Sequence, residues 1–421
     1  MKLPHHLKIF LSGSLITIVG NIVLGLVNYL VRRLMVCRLN ETDYGLFWGT
    51  FSMIAIFSVF ADMGMGNAGA VLIAEDRERQ SEIFSTVFWL KVLTGFIAGC
   101  VFFVVRSFFS KTVSGGMDMW GVFAVFLLLF VSNGSFSAYY QGNKLYRARS
   151  MFLCVPCVIL LVLLWSLLPS GASATQAALI YTVTYAISVA VQFGYSSLRG
   201  VRWRFSRGIL PRLFSLTGAL VIVAAVQTVL FNMDSVMLTT FAGPRQVAVY
   251  NVALPLTHLL LSVMVFAYVF LPMAIEMIGQ EQYVRLKKYI SAALFATVLL
   301  LPCIFLGSLW GGKWLITLFF TDRYADAAAP LLPWLLCGYL LHSFGSFVSQ
   351  TLIAMRRIRI LTAIALMTLL GDIVLLYLLV GRFGAKGAAV ATFCSFAFFA
   401  LANWLSFMFS VTTSPAAPDR G

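Results

Sequence analysis

Residues 289–311 read YISAALFATVLLLPCIFLGSLWG, without a single charged side chain. A bilayer core about 30 Å thick takes about 20 apolar residues of helix, with every backbone polar group bonded inside the segment. Working outward from this stretch gives eleven more such runs: roughly 9–31, 44–66, 84–105, 119–138, 151–169, 174–196, 213–238, 247–272, 330–354, 360–380 and 385–411. The second run continues to Ala74 without a loop-like interruption. Pro169-Ser170-Gly171 forms the turn between the fifth and sixth. The expectation is an all-α polytopic membrane protein with about 12 transmembrane helices.

Composition agrees. The chain is 61% hydrophobic and 11% charged, with a mean hydropathy of +0.93. A soluble domain carries about 25% charged residues, so no water-soluble surface can be assembled here. Lys2 and Lys8 precede the run 9–31, which is too long for a signal-peptide core and lacks a small-residue cleavage site. That run is expected to stay as the first span.

The net charge of +15 would suggest nucleic acid in a soluble protein. Here the bases lie in short segments between apolar runs, so no nucleic-acid partner is expected. With the N-terminus inside, nineteen Lys and Arg fall in cytoplasmic segments and ten outside. The positive-inside bias then places both termini in the cytoplasm. Residues 199–212 are the densest basic stretch, and contact with anionic lipid headgroups is the simplest role for them. The expected organisation is a six-helix bundle over 1–198, a basic linker over 199–212, a second bundle over 213–411 and a tail over 412–421.

The halves are faintly repeated. Gln141-Gly142-Asn143-Lys144-Leu145-Tyr146-Arg147 follows the fourth run, and Ile353-Ala354-Met355-Arg356-Arg357-Ile358-Arg359 follows the tenth. Tyr44-Gly45-Leu46-Phe47 opens the second run, and Val247-Ala248-Val249-Tyr250 opens the eighth. Two six-helix halves entering from one side would be related by a pseudo-two-fold axis along the membrane normal, a transporter plan with its site between the halves.

Charged residues inside apolar runs are the informative ones, because each is costly unless paired or hydrated. Arg32 and Arg33 follow directly on the first run and fall late in its helix if that continues through Leu34, Met35 and Val36. A guanidinium stays charged when desolvated and binds phosphate oxygens bidentately, so a diphosphate headgroup is a plausible ligand. Snorkelling to the outer interface is the alternative. Lys91 is expected to snorkel more readily than to touch cargo. Asp62, Asp234 and Asp372 are the intramembrane acids, each able to pair with a base or to carry a coupling ion. Asn232 and Gln227 give the run around Asp234 one polar face. His258 and His342 read as packing residues.

Other features are bland. Cys154 and Cys157 form a CxxC around Pro156 within an apolar run, without the strand-helix context of a redox motif. Gly95 and Gly99, and the set Gly381, Gly384 and Gly387, are expected to let neighbouring helices approach closely. Pro156, Pro255, Pro302 and Pro333 are expected to kink their helices, with Pro272 closing the eighth. No segment between runs exceeds about twenty residues, and the longest outer one, Gly312 to Ala329, holds only Asp322 and Asp326 as acidic residues. No catalytic residue, metal ligand or cofactor is expected.

Arg33-Leu34, then Glu41-Thr42-Asp43-Tyr44-Gly45-Leu46-Phe47 and Phe60-Ala61-Asp62-Met63-Gly64, resemble the opening of Wzx-type oligosaccharide flippases. These form the polysaccharide-biosynthesis branch of the multidrug/oligosaccharidyl-lipid/polysaccharide exporter superfamily, whose fold is that of the MATE transporters. Asp234 with Val249-Tyr250, and Gly384 to Thr392, resemble the family's seventh, eighth and last helices. The resemblance implies a bacterial inner-membrane protein that moves an undecaprenyl-diphosphate-linked oligosaccharide outward by alternating access, with a polysaccharide polymerase as partner. O-antigen and lipopolysaccharide assembly are typical settings of the family. Arg33 stands where the family commonly has its Arg, and Arg33→Ala is expected to impair export. Lys91 stands where a base is frequent, whereas Arg32 is an addition. A multidrug or cation antiporter of the same superfamily is the alternative, and Arg32, Arg33 and Lys91 argue against it. A lipid II flippase usually carries two further helices. A membrane glycan polymerase or ligase is disfavoured by the short outer segments.

Overall fold

The computed structural model describes residues 5–109, 117–216, 219–261 and 265–413. Lys2, Lys111, Arg420 and the end of the tail lie outside these, as do the side chains of Lys8 and His258. The chain divides into two compact units, Met1–Val221 and Ile222–Gly421.

The first unit contains α1 (His5–Arg38), α2 (Glu41–Asp62), α3 (Met65–Glu75), α4 (Gln80–Phe109), α5 (Met117–Gly142), α6 (Tyr146–Leu167), α7 (Ala174–Leu198) and the short α8 (Leu210–Leu216). The second contains most of α9 (Ala219–Phe241), then α10 (Pro244–Leu261), α11 (Val265–Gly279), α12 (Tyr283–Phe319), α13 (Ala325–Ala328), α14 (Leu332–Ala354) and α15 (Ile358–Thr413). Among the described residues, eight helices are by themselves long and apolar enough to cross a membrane. One of these, α15, is two helices joined at Gly384, whose φ of 56° and ψ of −134° are non-helical. With α1, α9 and the pair α10–α11 the chain is a multi-pass membrane protein of about twelve spans.

Several helices depart from the sequence expectation. The second run is broken. Met63 (φ 44°) and Gly64 (φ 72°) adopt left-handed backbone, ending α2 and starting α3. Glycine takes this conformation freely, whereas methionine is strained there. Helix α11 passes through Pro272 and ends at Gly279, since a proline in a membrane helix is tolerated where neighbours satisfy the freed groups. The bundle boundary also moves. Ile209 and Leu213 are buried in the first unit's core with Phe84, Phe88, Phe136 and Tyr139, so α8 belongs to that unit.

Each unit is fastened at one end by the residues that open its second helix. Asn40 caps α2, and its amide donates to Asp43 at 2.7 Å. Asp43 Oδ1 in turn accepts from the Ala174 amide at the start of α7, at 2.8 Å. In the second unit Gln246 Oε1 accepts from the Ala385 amide beyond the Gly384 break, at 3.0 Å. Both are caps on otherwise orphaned helix-terminal donors. The faint sequence repeat is also visible in the backbone. Lys144 (φ 57°) and Arg356 (φ 58°) are both left-handed. Leu145 N donates to Tyr140 O at 2.8 Å, and Arg357 N to Leu352 O at 2.9 Å. The helix end is the same in both halves.

Small residues set how closely helices pack. A Cβ at Gly99 would meet Ala124 O on α5 at 2.9 Å. On α14, a Cβ at Gly345 would meet the Phe399 ring at 2.6 Å and Ala400 Cα at 3.0 Å. Gly345→Ala therefore forces α14 from α15, at a cost of about 1–3 kcal/mol. Its thermal midpoint in detergent is expected to fall by about 2–10 °C. Gly371→Ala, at a position with nothing within 4 Å, is expected to melt with the wild type.

Candidate functional site

In the first unit α1 continues through Leu34, Met35 and Val36 to Arg38, so both Arg32 and Arg33 are helical. Their side chains differ. Arg33 is exposed, whereas Arg32 is half-buried and lies face-on over the Trp48 ring, with Cζ 3.7 Å from the centroid. Trp48 belongs to α2 and packs edge-on against Phe47 and Phe51. Phe47 and Phe51 also contact Tyr181 of α7. The aromatic floor explains why the guanidinium has one orientation: cation–π contact favours a planar cation stacked on indole. The buried Trp48 Nε1 has no hydrogen-bond partner among the described residues. A guanidinium stacked on an indole face suits an anionic oxygen ligand.

Lys91 does not snorkel. It is 2% exposed, and its ammonium forms an ion pair with Asp62. Gly66 and Gly134 make the room, since a Cβ at either would lie 3.2 Å from Lys91 Nζ. The left-handed pair after Asp62 ends α2 at this point, so the break in the run and the ion pair share one place. Beside Gly134, Asn133 Oδ1 accepts from Gln192 Nε2 at 2.7 Å and from Ser188 Oγ at 3.1 Å. Sequence reading missed this amide network, whose signal was the polar cluster Ser132-Asn133-Gly134-Ser135 inside an apolar run.

The second unit holds the other two acids. Asp234 on α9 is 3% exposed; Oδ2 accepts from Tyr250 Oη at 2.5 Å and Thr392 Oγ1 at 3.1 Å. Asp372 is 1% exposed, and its Oδ1 accepts from Ser395 Oγ at 2.8 Å. The remaining oxygens, Asp234 Oδ1 and Asp372 Oδ2, are buried without a hydrogen-bond partner among the described residues. Neither has an ion pair among the described residues, unlike Asp62. Buried carboxyls of this kind can each be held by a proton or by a cation. Tyr250 and Thr392, from two segments that carry the resemblance, meet at Asp234. His342 packs among Phe231, Phe396 and Phe399, as a core ring.

The seven cysteines are free, Cys154 and Cys157 included. Cys154 Sγ donates to Gly20 O at 3.3 Å, a packing contact.

The family model described as polysaccharide biosynthesis protein matches residues 34–329. An uncharacterized membrane protein of Methanocaldococcus jannaschii is 26% identical, over 86% of this chain and 77% of its own length. The capsular polysaccharide biosynthesis protein CapF of Staphylococcus aureus is 20% identical, over 88% of this chain and 92% of its own. Among solved structures, the lipid II flippase MurJ in an inward closed conformation gives a TM-score of 0.72 at 16% identity, covering 96% of this chain and 88% of MurJ. An inward-facing multidrug resistance transporter of the MATE family gives 0.70 at 15% identity, covering 93% and 96%. The fold is thus that of the MATE and MurJ transporters. The chain belongs to the polysaccharide biosynthesis protein family.

Proposed function

We propose that this transporter carries a polyprenyl-diphosphate-linked oligosaccharide, of the undecaprenyl type, outward across the bacterial cytoplasmic membrane by alternating access. In this reading both termini are cytoplasmic, the chain catalyses no covalent step, and a polysaccharide polymerase takes the product. The observation that carries the reading is Arg32. A cation held over Trp48 favours a cargo with anionic oxygens, and a diphosphate offers them. The acids Asp234 and Asp372 are assigned the coupling proton or cation, since buried carboxyls with no ion pair among the described residues favour one. The family's link to polysaccharide supports a glycan on the diphosphate.

The test is transport by the purified chain in liposomes, with a fluorescent polyprenyl-diphosphate oligosaccharide and a membrane-impermeant glycosidase as reporter of sidedness. Protection of the glycan is expected to rise about ten-fold over protein-free vesicles. Asp234→Asn is expected to remove most of that rise while leaving the reconstituted amount unchanged. Movement of a cationic dye in place of the glycan lipid would make the chain a drug antiporter. Joining of glycans without translocation would make it an enzyme.

A further inference from the structure

We infer that residues 199–212 form a preorganised surface for anionic phospholipid headgroups on the first unit. The stretch contains Arg199, Arg202, Arg204, Arg207 and Arg212. A basic connection of this length would ordinarily be a solvated loop. Here its backbone is fastened. Trp203 stacks on Phe193 at 4.1 Å and 14°, and its Nε1 donates to Ser197 Oγ at 2.8 Å. Ser206 N donates to Thr86 Oγ1 at 3.0 Å. Val201, Ile209 and Leu213 are buried in the unit's core.

With these residues turned inward, the arginines between them face out. Arg202, Arg204 and Arg207 are exposed, and none has an ion pair among the described residues. Arg212 is the exception, held 3.8 Å from Glu75 and 3.7 Å from Asp76. The nearby acids Glu75 and Asp76 are therefore committed to Arg212 and leave Arg202, Arg204 and Arg207 unneutralised. Phe205 is 47% exposed between two of them, and Leu198, where α7 ends, is 90% exposed. Arginines interleaved with an exposed aromatic, next to the end of a membrane-spanning helix, fit the interfacial zone of a bilayer. Because the backbone is already ordered, binding does not carry the ordering cost a loose loop would. The partner is thus the anionic leaflet itself, and the role is independent of the cargo.

The experiment is native mass spectrometry of the full chain from mixed micelles containing phosphatidylglycerol and phosphatidylcholine. The wild type is expected to retain phosphatidylglycerol preferentially. One arginine near an anionic surface is worth about five-fold in partitioning. The triple variant R202Q/R204Q/R207Q is therefore expected to lose that preference by at least ten-fold. The single Arg204→Gln, at a fully outward position, is expected to lose two- to five-fold and keeps the test open should the triple variant misfold. R285Q/K287Q/K288Q, a basic stretch on α12, is the control and is expected to keep the preference. Unchanged retention in Arg204→Gln and the triple variant, or equal loss in the control, would overturn the inference. Neither result bears on cargo transport, so failure here is separable from failure of the proposed function.

Discussion

Arg32→Ala is expected to reduce glycan-lipid transport by about a hundred-fold, with protein still delivered to the membrane. A hydrogen bond to a charged partner contributes about 1.5–3 kcal/mol, and stacking on an aromatic face adds about 1 kcal/mol by fixing the guanidinium. Together these come to about 2.5–4 kcal/mol, and the lower part of that range corresponds to about two orders of magnitude. Arg32→Lys keeps the charge but loses the planar fork that stacks on Trp48 and holds two oxygens at once. It is expected to recover no more than about a tenth of wild-type transport. Trp48→Leu should resemble Arg32→Lys, because the cation stays but is no longer held. Arg33→Ala is the internal comparison. The family resemblance favours Arg33 as the cargo residue, yet Arg33 is exposed and lacks a comparable floor. Its loss is expected to weaken transport by less than ten-fold. A dead Arg33→Ala beside a normal Arg32→Ala would show that the cargo uses the exposed guanidinium, and that the Trp48 stack only packs α1 on α2.

Why the sequence revealed the spans but not the site follows from what each depends on. A membrane helix is a local property. Twenty apolar residues announce themselves whatever they touch, so 119–138 and 174–196 could be read directly and lie within α5 and α7. The break after Asp62 was half-legible, because Gly64 and Gly66 flagged a bend but not the left-handed Met63 that opens it. Side-chain partners are properties of the tertiary fold. Nothing near Lys91 in the chain identifies Asp62 as its counter-ion, 29 residues away, so snorkelling was the reasonable sequence expectation. The same holds for Asp43, which looked like part of a family motif. Its contact with the Ala174 amide makes it a helix cap between distant segments. Asp234 was legible as a buried acid, but its partners Tyr250 and Thr392 became visible only once α9, α10 and α15 were packed.

The Lys91–Asp62 pair yields the second large effect, and its sign pattern separates a packing role from a cargo role. Lys91 is 3% exposed at the side chain and Asp62 is 36% exposed. Removing one partner of a buried pair costs about 3–5 kcal/mol, because the other charge is stranded. The two single variants should therefore be unequal. Asp62→Asn strands an ammonium enclosed between Gly66 and Gly134, and is expected to lower the thermal midpoint by about 6 °C or more. Lys91→Met strands a carboxylate that still reaches its surroundings, and should cost less than half as much. The double variant removes both charges, and is expected to recover most of the loss, as replacement of a whole buried pair often does. Equal losses in the two single variants, with no recovery in the double, would refute this account of the pair. Transport by the double variant then decides what the pair is for. If the ion pair only fixes the break between α2 and α3 against α4, a stable double variant carries cargo at near wild-type rates. If Lys91 leaves Asp62 to meet the diphosphate during transport, the double variant folds but does not transport, because the stabilised bundle has lost a cation its cargo needs.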